Sequence, residues 1–239
     1  MIYQLLSFDL DGTLVDTAAE IAYAANQTLA DAGLAPRTLD DITLRIGGGA
    51  KLLMHGLLTD TTAAAQRASM QDGGAQSARM DIDALLLRFE HHYARIAGTL
   101  AQPYPGCAVT LGQLRQAGIR LACVTNKEQG FAQQVLQATR LDGFFELLVG
   151  GDTLSHKKPH ASVLDHVRRV FDCQLLQMAH VGDSRIDVQA ARNTGIAAWA
   201  VSFGYNAGEP IAASLPDQLF DTLPAIAHHV ATLGSRPRH

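Results

Sequence analysis

The chain has 239 residues, a formal net charge of −4 at neutral pH and a hydrophobic fraction of 47%. This length allows one large domain or two small ones, and the apolar content is sufficient for a substantial core, which argues against a disordered chain. The sequence is mildly acidic and has no basic runs, so neither nucleic acid nor an anionic membrane is expected as a partner. Any anionic ligand would have to be held by a few local groups or by a metal.

The cysteines indicate a reducing compartment. Cys107, Cys123 and Cys173 are odd in number and lack Cys-x-x-Cys spacing, so we expect packing residues and not a disulfide framework. The N-terminus lacks a charged signal-peptide region, and no apolar run approaches the length of a membrane span. We therefore expect a cytoplasmic protein, either a monomer or a homodimer.

The first polar cluster follows an apolar run, Ile2 to Leu6, which we predict to be a buried strand. Asp9 and Asp11 come after it, two residues apart, and in extended backbone this spacing points both side chains the same way. Gly12 lets the chain turn away from the strand, and Thr13 adds a hydroxyl. Converging carboxylates are usually held by a shared proton or by a cation such as Mg²⁺, although an ordinary surface turn is the alternative interpretation.

A long helical stretch is predicted next. Thr17 and Glu20 have capping-box spacing and open a helix that should end near Gly33, and the Ala-rich pattern continues in helical form to about Gly98. Three glycines at positions 47–49 interrupt two of its segments. Such a loop either brings backbone N–H groups to an anion or is a plain turn between helices.

The pattern changes after residues 103–106, where two prolines and a glycine form a linker. Helices and strands then alternate, with helices predicted at 108–117, 129–139, 161–171 and 186–194 and strands at 119–125, 147–150, 178–181 and 196–201. This alternation predicts the α/β class, with a Rossmann-like parallel sheet covered by helices on both faces. We expect a core made of residues 1–16 and 99–239, an α-helical domain at 17–98 inserted after the first strand, and a frayed tail from residue 234.

More polar groups follow the later predicted strands, where a parallel sheet would bring them to the same edge as Asp9. Thr125-Asn126 could clamp phosphoryl oxygens or cap a helix. Lys157-Lys158 offers a cation or is a solvated lysine pair. Asp183 and Asp187 have i, i+4 spacing, which places them on one face of a helix or near its positive dipole end.

Taken together, these groups resemble the four motifs of the haloacid dehalogenase superfamily of aspartate-nucleophile phosphotransferases. The matching segments, in chain order, are Asp9-Leu10-Asp11-Gly12-Thr13, Thr125-Asn126, Lys158-Pro159 and Gly182-Asp183-Ser184-Arg185-Ile186-Asp187. The segments 124–127, 151–154, 181–185 and 203–206 are similar to the phosphoglycolate phosphatase branch. The resemblance spans nearly the whole chain, and residues 17–98 resemble the family's cap domain.

The resemblance implies a mechanism. Asp9 would be the nucleophile that forms an aspartyl-phosphate, and Asp11 would be the acid for the leaving alkoxide and then the base for water. Thr125, Asn126 and Lys158 would hold the transferring oxygens, and Thr13 would also contact the substrate. We expect Lys158 and not Lys157 in this role because the family's lysine directly precedes its proline.

The resemblance also implies Mg²⁺ as the cofactor. Its ligands would be Asp9, the backbone carbonyl of Asp11 and Asp183, and Asp187 would act indirectly and orient Lys158. An anionic carboxylate can attack the phosphate only if the negative charge of the phosphate is neutralised, which is the role of the metal.

The substrate is expected to be a small phosphomonoester. Arg45, Gly48, Gly49 and Lys51 in the glycine loop are candidates for contacting its remainder, and a carboxylate would suit them. The best single candidate is 2-phosphoglycolate, hydrolysed to glycolate and phosphate. Another sugar or amino-sugar-acid phosphate and a phosphomutase reaction on the same scaffold remain alternatives, whereas a non-catalytic module is disfavoured because all the motif acids are present.

Overall fold

The computed structural model describes residues 3–59 and 81–234. Ile2, the tail at 235–239 and residues 60–80 of the expected helical domain lie outside the described residues. None of the helices in the described ranges is long and apolar enough to cross a membrane.

The strands in these ranges are β1 (Leu5–Phe8), β2 (Val15–Asp16), β3 (Gln102–Pro103), β4 (Arg120–Val124), β5 (Leu147–Val149), β6 (Met178–Gly182), β7 (Ala197–Val201) and β8 (Gln218–Phe220). The α-helices are α1 (Ala18–Asp31), α2 (Leu39–Thr43), α3 (described over residues 50–59), α4 (Ile82–Ala94), α5 (Cys107–Gln116), α6 (Gln129–Ala138), α7 (Ala161–Val170), α8 (Arg185–Thr194) and α9 (Leu223–Gly234).

A six-stranded parallel sheet forms the centre of the fold, in the order β5-β4-β1-β6-β7-β8. Strand β1 lies in the middle, and its Leu5 pairs with Arg120 of β4 on one side and Met178 of β6 on the other. All four residues of β1 are buried, as expected for a parallel sheet that is covered on both faces. The predicted α/β class is confirmed.

Alternate residues of the strands enter two separate hydrophobic clusters. Leu6, Phe8 and Cys123 face the layer that contains α5, α6 and α9, whereas Leu5 and Val124 face the layer of α7 and α8. This is the two-residue period of a strand, and it explains why the strands read as continuous apolar runs. The three cysteines are buried and unpaired, as expected for packing residues.

Helices α1 to α4 have a hydrophobic cluster of their own. Its buried members all lie between residues 21 and 93: Ile21, Ala22, Ala24, Ala25, Leu29, Ile42, Ala50, Leu53, Met54, Leu57, Phe89 and Tyr93. This separate cluster supports, as a proposal, the division into a core at 1–16 and 99–239 and an inserted helical domain at 17–98. We call the helices α1 to α4 and their connections the helical unit.

Several local expectations need correction. The predicted helices and strands after residue 106 agree with the structure to within one residue at each end, but β8 and α9 were not predicted. Within the described residues the first strand is Leu5–Phe8, so it continues two residues beyond the predicted end at Leu6, where β4 and β6 flank it on both sides. The two-stranded ribbon of β2 and β3, where only a linker was expected, connects the sheet to the helical unit.

The predicted capping box at the start of α1 is wrong, although the helix itself is present. The hydroxyl of Thr17 makes no cap and instead donates to Asp11 Oδ1, at 2.6 Å. The carboxylate of Glu20 accepts hydrogen bonds from Tyr93 and from the backbone N–H of Gly98. Partners distant in sequence therefore outcompete the local cap.

The core packing gives a stability prediction. Leu121 is fully buried in β4, so we expect Leu121→Ala to lower the free energy of unfolding by about 2 to 5 kcal/mol. Leu176 has a side chain that is largely exposed, so Leu176→Ala should change it by less than about 0.5 kcal/mol. Urea unfolding of both variants measures the difference, and similar losses would contradict the packing described for β4.

Candidate active site

The site lies at the carboxyl ends of the three central strands. Asp9 follows β1, Thr125 follows β4 and Asp183 follows β6, each directly after the last strand residue. The backbone N–H of Asp9 donates to the carbonyl of Val181 at 2.9 Å, which continues the pairing of the strands into the site. Side chains that are far apart in the sequence are thereby brought to one edge of the sheet, as expected.

Three buried carboxylates cluster at this edge. One oxygen from each of Asp9, Asp183 and Asp187 lies within 4.8 Å of the others. Burial raises the pKa of Asp9 to about 7, although Lys158 opposes this, and burial together with the charge of Asp187 raises that of Asp183 to about 8. The carboxylates would ionise more readily with a cation between them.

The residues present fit a divalent metal such as Mg²⁺. Oxygen atoms of carboxylates are the ligands that hard cations prefer. Asp9 Oδ1 is a buried atom without an aligned hydrogen bond in the described structure, and it belongs to the same cluster. Lys158 Nζ lies 3.0 Å from this oxygen, so three buried carboxylates share a single ammonium, and a bound cation would supply the positive charge that the cluster lacks.

Asp183 is held rigidly by its surroundings. Its Oδ1 accepts from the hydroxyl of Thr13 at 2.9 Å, and its Oδ2 accepts from the backbone N–H of Tyr205 at 2.7 Å. A Cβ on Gly12 or Gly204 would lie 2.3 Å or 2.1 Å from atoms of the Asp183 side chain, so both positions require glycine. The hydroxyl of Thr13, predicted as a substrate contact, thus orients Asp183 in this structure.

Lys158 supplies the ammonium group that lies among these carboxylates. Its Nζ lies 2.7 Å from Asp187 Oδ1 and 3.0 Å from Asp9 Oδ1, and it donates to the carbonyl of Val124. The neighbouring Lys157 is instead partly exposed and lies 3.4 Å from Glu128. Of the two lysines that the sequence offered, the structure therefore brings Lys158 to the carboxylates.

Both carboxylate oxygens of Asp187 accept hydrogen bonds. Its Oδ2 accepts from the N–H and hydroxyl of Ser184 in a capping box for α8, and its Oδ1 contacts His180 Nε2 at 3.1 Å as well as Lys158. Burial would raise the pKa of Asp187, but the Lys158 ammonium and the His180 hydrogen bond hold it well below its usual range. These contacts suit a residue that orients Lys158.

The carboxylate of Asp11 has different partners from that of Asp9. Its Oδ1 accepts from the hydroxyl of Thr17 and, at 2.8 Å, from the ammonium of Lys127. Lys127 is only 7% exposed, and its Nζ lies 4.7 Å from the centre of the Tyr93 ring. Sequence reasoning missed Lys127, although it directly follows the Thr125-Asn126 motif at the same strand end.

Asn126 joins three segments of the site through its side-chain amide. Its Oδ1 accepts from the N–H of Lys158 at 2.9 Å, and its Nδ2 donates to the carbonyls of Lys158 and Gly47, both at 3.0 Å. Thr125 is not a helix cap, because α6 begins only at Gln129. The amide of Asn126 therefore ties the glycine loop of the helical unit to the edge of the sheet.

A small cavity lies between this edge and the helical unit. The predicted site residues that line it are Asp9, Asp11, Arg45, Gly49, Thr125 and Asn126, together with Ile21, Ile46, Gly47, Ala50, Leu53, Phe89, Tyr93, Lys127 and Glu128. Three predicted substrate contacts do not line it: Thr13, Gly48 and Lys51. Lys51 is exposed and pairs with Asp83 at 2.7 Å, and Gly48 faces Leu52. Lys51 directly follows Ala50, which lines the cavity, and consecutive residues of a helix point in different directions, so the Lys51 side chain is turned to the surface.

Tyr205 connects the carboxylate cluster to the start of the helical unit. Burial raises the pKa of its hydroxyl, which donates to Asp16 Oδ1 at 2.6 Å. The hydroxyl oxygen of Tyr205 also accepts from the backbone N–H groups of Thr17 and Ala18, at 2.9 and 3.1 Å. The backbone N–H of Tyr205 donates to Asp183. One residue thus supports both the site and the crossing to α1.

This connection gives a second stability prediction. Tyr205→Phe removes the acceptor of the Thr17 N–H, one of the two acceptors of the Ala18 N–H and the hydroxyl that donates to Asp16, so we expect the free energy of unfolding to fall by about 1 to 3 kcal/mol. Tyr23 is half-exposed, and Tyr23→Phe should change it by less than about 0.5 kcal/mol. Urea unfolding compares the two, and equal values would show that the Tyr205 hydroxyl does not support the crossing.

Comparisons with known proteins agree with this geometry. The sequence model of one protein family, the haloacid dehalogenase-like hydrolases, matches residues 6–201 of this chain. A phosphoglycolate phosphatase of Vibrio parahaemolyticus is 33% identical over 228 residues, which cover 95% of this chain and 96% of the relative. One of Vibrio vulnificus is 36% identical over 220 residues, which cover 92% of each.

A solved structure is also similar. The crystal structure of a predicted phosphoglycolate phosphatase from Haemophilus somnus has a TM-score of 0.84 and 30% sequence identity, and the match covers 96% of this chain and 99% of that one. These similarities confirm the expected enzyme class, a hydrolase of the phosphatase type. The chain belongs to the family of haloacid dehalogenase-like hydrolases.

Proposed function

We propose that this hydrolase is a Mg²⁺-dependent phosphatase for a small phosphomonoester, with 2-phosphoglycolate as its preferred substrate. The observation that carries the proposal is the buried carboxylate of Asp9, which lies beside the Lys158 ammonium and the Asp183 carboxylate and lines the cavity. The names of the relatives support the choice of substrate. Neither nucleic acid nor a membrane is needed for this activity.

The metal would be held by the side chains of Asp9 and Asp183 and by the backbone carbonyl of Asp11, with Asp187 acting indirectly. When bound, Mg²⁺ supplies positive charge that lets an anionic carboxylate approach an anionic phosphate. The three buried carboxylates support this assignment, because together they concentrate negative charge that needs a counter-ion.

The first half of the reaction is phosphoryl transfer to the protein. A carboxylate oxygen of Asp9 forms a bond to phosphorus while the bond to the leaving oxygen breaks, and Asp11 gives a proton to the leaving alkoxide. Lys158, the hydroxyl of Thr125 and Asn126 hold the phosphoryl oxygens as charge shifts between them.

The second half regenerates the enzyme. Asp11, now a carboxylate, takes a proton from a water molecule whose oxygen bonds to phosphorus, and the bond from phosphorus to Asp9 breaks. The hydrogen bond from Thr17 fixes the position of Asp11 for both steps. The helical unit acts as the cap that closes over the site and excludes other water.

The experiment that tests the proposal is phosphate release from a panel of small phosphate esters, measured with Mg²⁺ and again with EDTA. We expect the highest kcat/KM for 2-phosphoglycolate and a loss of at least about 1,000-fold when the metal is removed. Asp9→Asn should lower kcat by a similar factor or more while the protein stays folded.

Other outcomes would contradict parts of the proposal. Even, weak release across the panel would contradict the choice of substrate, and near-normal turnover in Asp9→Asn would remove Asp9 from its role. A requirement for added sugar bisphosphate, with phosphate returned to the substrate, would identify a phosphomutase.

A further inference from the structure

The cavity contains few cationic groups that could meet an anionic part of a substrate. Among the described lining residues these are Arg45 and Lys127. Arg45 extends away towards α2, where its guanidinium donates to Asp41 Oδ1 at 2.7 Å. Lys158, which the proposed function assigns to the phosphoryl group, contacts Asp9, Asp187 and the carbonyl of Val124 and does not line the cavity. Lys127 is thus the lysine placed at the cavity wall.

Lys127 is positioned by both parts of the protein. Its side chain is 6% exposed, and its Nζ contacts both Asp11 Oδ1 of the core and the Tyr93 ring of α4. An ammonium has three N–H donors, of which Asp11 accepts one, so an entering anion could be bound without breaking this contact. The Tyr93 ring, whose centre lies 4.7 Å from Nζ, also stabilises the cation.

Lys127 lies next to Asp11, the residue that is proposed to contact the leaving oxygen. In the proposed reaction the leaving oxygen contacts Asp11, and in 2-phosphoglycolate the carboxylate oxygens are about 3 Å from that leaving oxygen by ordinary bond lengths. Lys127 Nζ lies 2.8 Å from Asp11 Oδ1. Because both distances involve groups next to Asp11, rotation about the bonds of the leaving group can bring its carboxylate to the Lys127 ammonium.

We infer that Lys127 is a specificity-determining residue, which binds a carboxylate on the leaving group of the substrate. The inference rests on the proposed phosphatase function and assigns its preference for an acidic substrate to a residue of the core rather than to the glycine loop. Without this ammonium, the substrate carboxylate would meet the carboxyl oxygens of Asp11 and Glu128 at the cavity wall with no cationic partner.

The test compares 2-phosphoglycolate with hydroxyethyl phosphate, in which an alcohol replaces the carboxylate. Lys127→Met keeps much of the side-chain length and removes the charge, so the ratio of kcat/KM between the two substrates should fall by about 100-fold. Lys127→Arg keeps a charge and should retain most of the ratio. Lys157→Met, which removes a partly exposed lysine, should leave the ratio unchanged.

A parallel loss on both substrates in Lys127→Met, with an unchanged ratio, would overturn the inference, because it would mean that Lys127 only positions Asp11. Thermal unfolding shows whether each variant is folded.

Equilibrium binding separates this inference from the proposed function. Phosphonopropionate, the non-hydrolysable phosphonate that corresponds to phosphoglycolate, and hydroxypropylphosphonate, its neutral-alcohol counterpart, can be titrated by calorimetry in the presence of Mg²⁺. A preference of the wild type for phosphonopropionate that Lys127→Met abolishes and Lys127→Arg retains supports the inference even if turnover is absent. Equal preference in wild type and Lys127→Met overturns it, even if phosphatase activity is present.

Discussion

The site depends on the burial of several carboxylates around one ammonium. Lys158 lies within 3.0 Å of both Asp9 and Asp187, and all three side chains are almost fully buried. Removing like charges from water is costly unless each is paired and hydrogen-bonded, so the surrounding chain is tightly constrained. Gly182 and Gly204 are examples, because a Cβ at either position would collide with Asp187 or Asp183. The central strands supply the rigid frame that this arrangement requires.

The sheet and the helical unit meet through polar contacts at the site itself. Asn126 bonds to the glycine loop at Gly47, and Tyr205 bonds to the backbone at the start of α1. Lys127 contacts both Asp11 of the core and Tyr93 of α4. The groups proposed for chemistry and for substrate selection therefore share residues with the junction. A change in the position of the helical unit would directly alter the contacts of Asp11 and Lys127. In this way a cap can couple its closure to the reaction.

The sequence was most informative where its signals are local or repeated. Alternating strands and helices have distinct periods, and strand ends carry the polar residues of a parallel sheet, so Asp9, Thr125 and Asp183 could be placed correctly at one edge. It was least informative where a partner distant in the sequence determines the position of a side chain. Thr17 has the spacing of a cap but bonds to Asp11, and Lys51 has a suitable charge for the cavity but pairs with a carboxylate at the surface. Short elements such as β8 and the β2–β3 ribbon offer too few residues to show a period.

The central claim is that Asp9 becomes phosphorylated during turnover, and rapid acid quenching followed by mass spectrometry tests it most directly. Wild-type protein mixed with substrate and Mg²⁺, quenched within the first turnover and digested, should yield a peptide around Asp9 that carries one additional phosphoryl group. The same peptide from Asp9→Asn should be unmodified. Phosphate release at the normal rate, with no phosphorylated Asp9 peptide at any quench time although a synthetic acyl phosphate survives the same workup, would contradict the account and indicate direct attack by water.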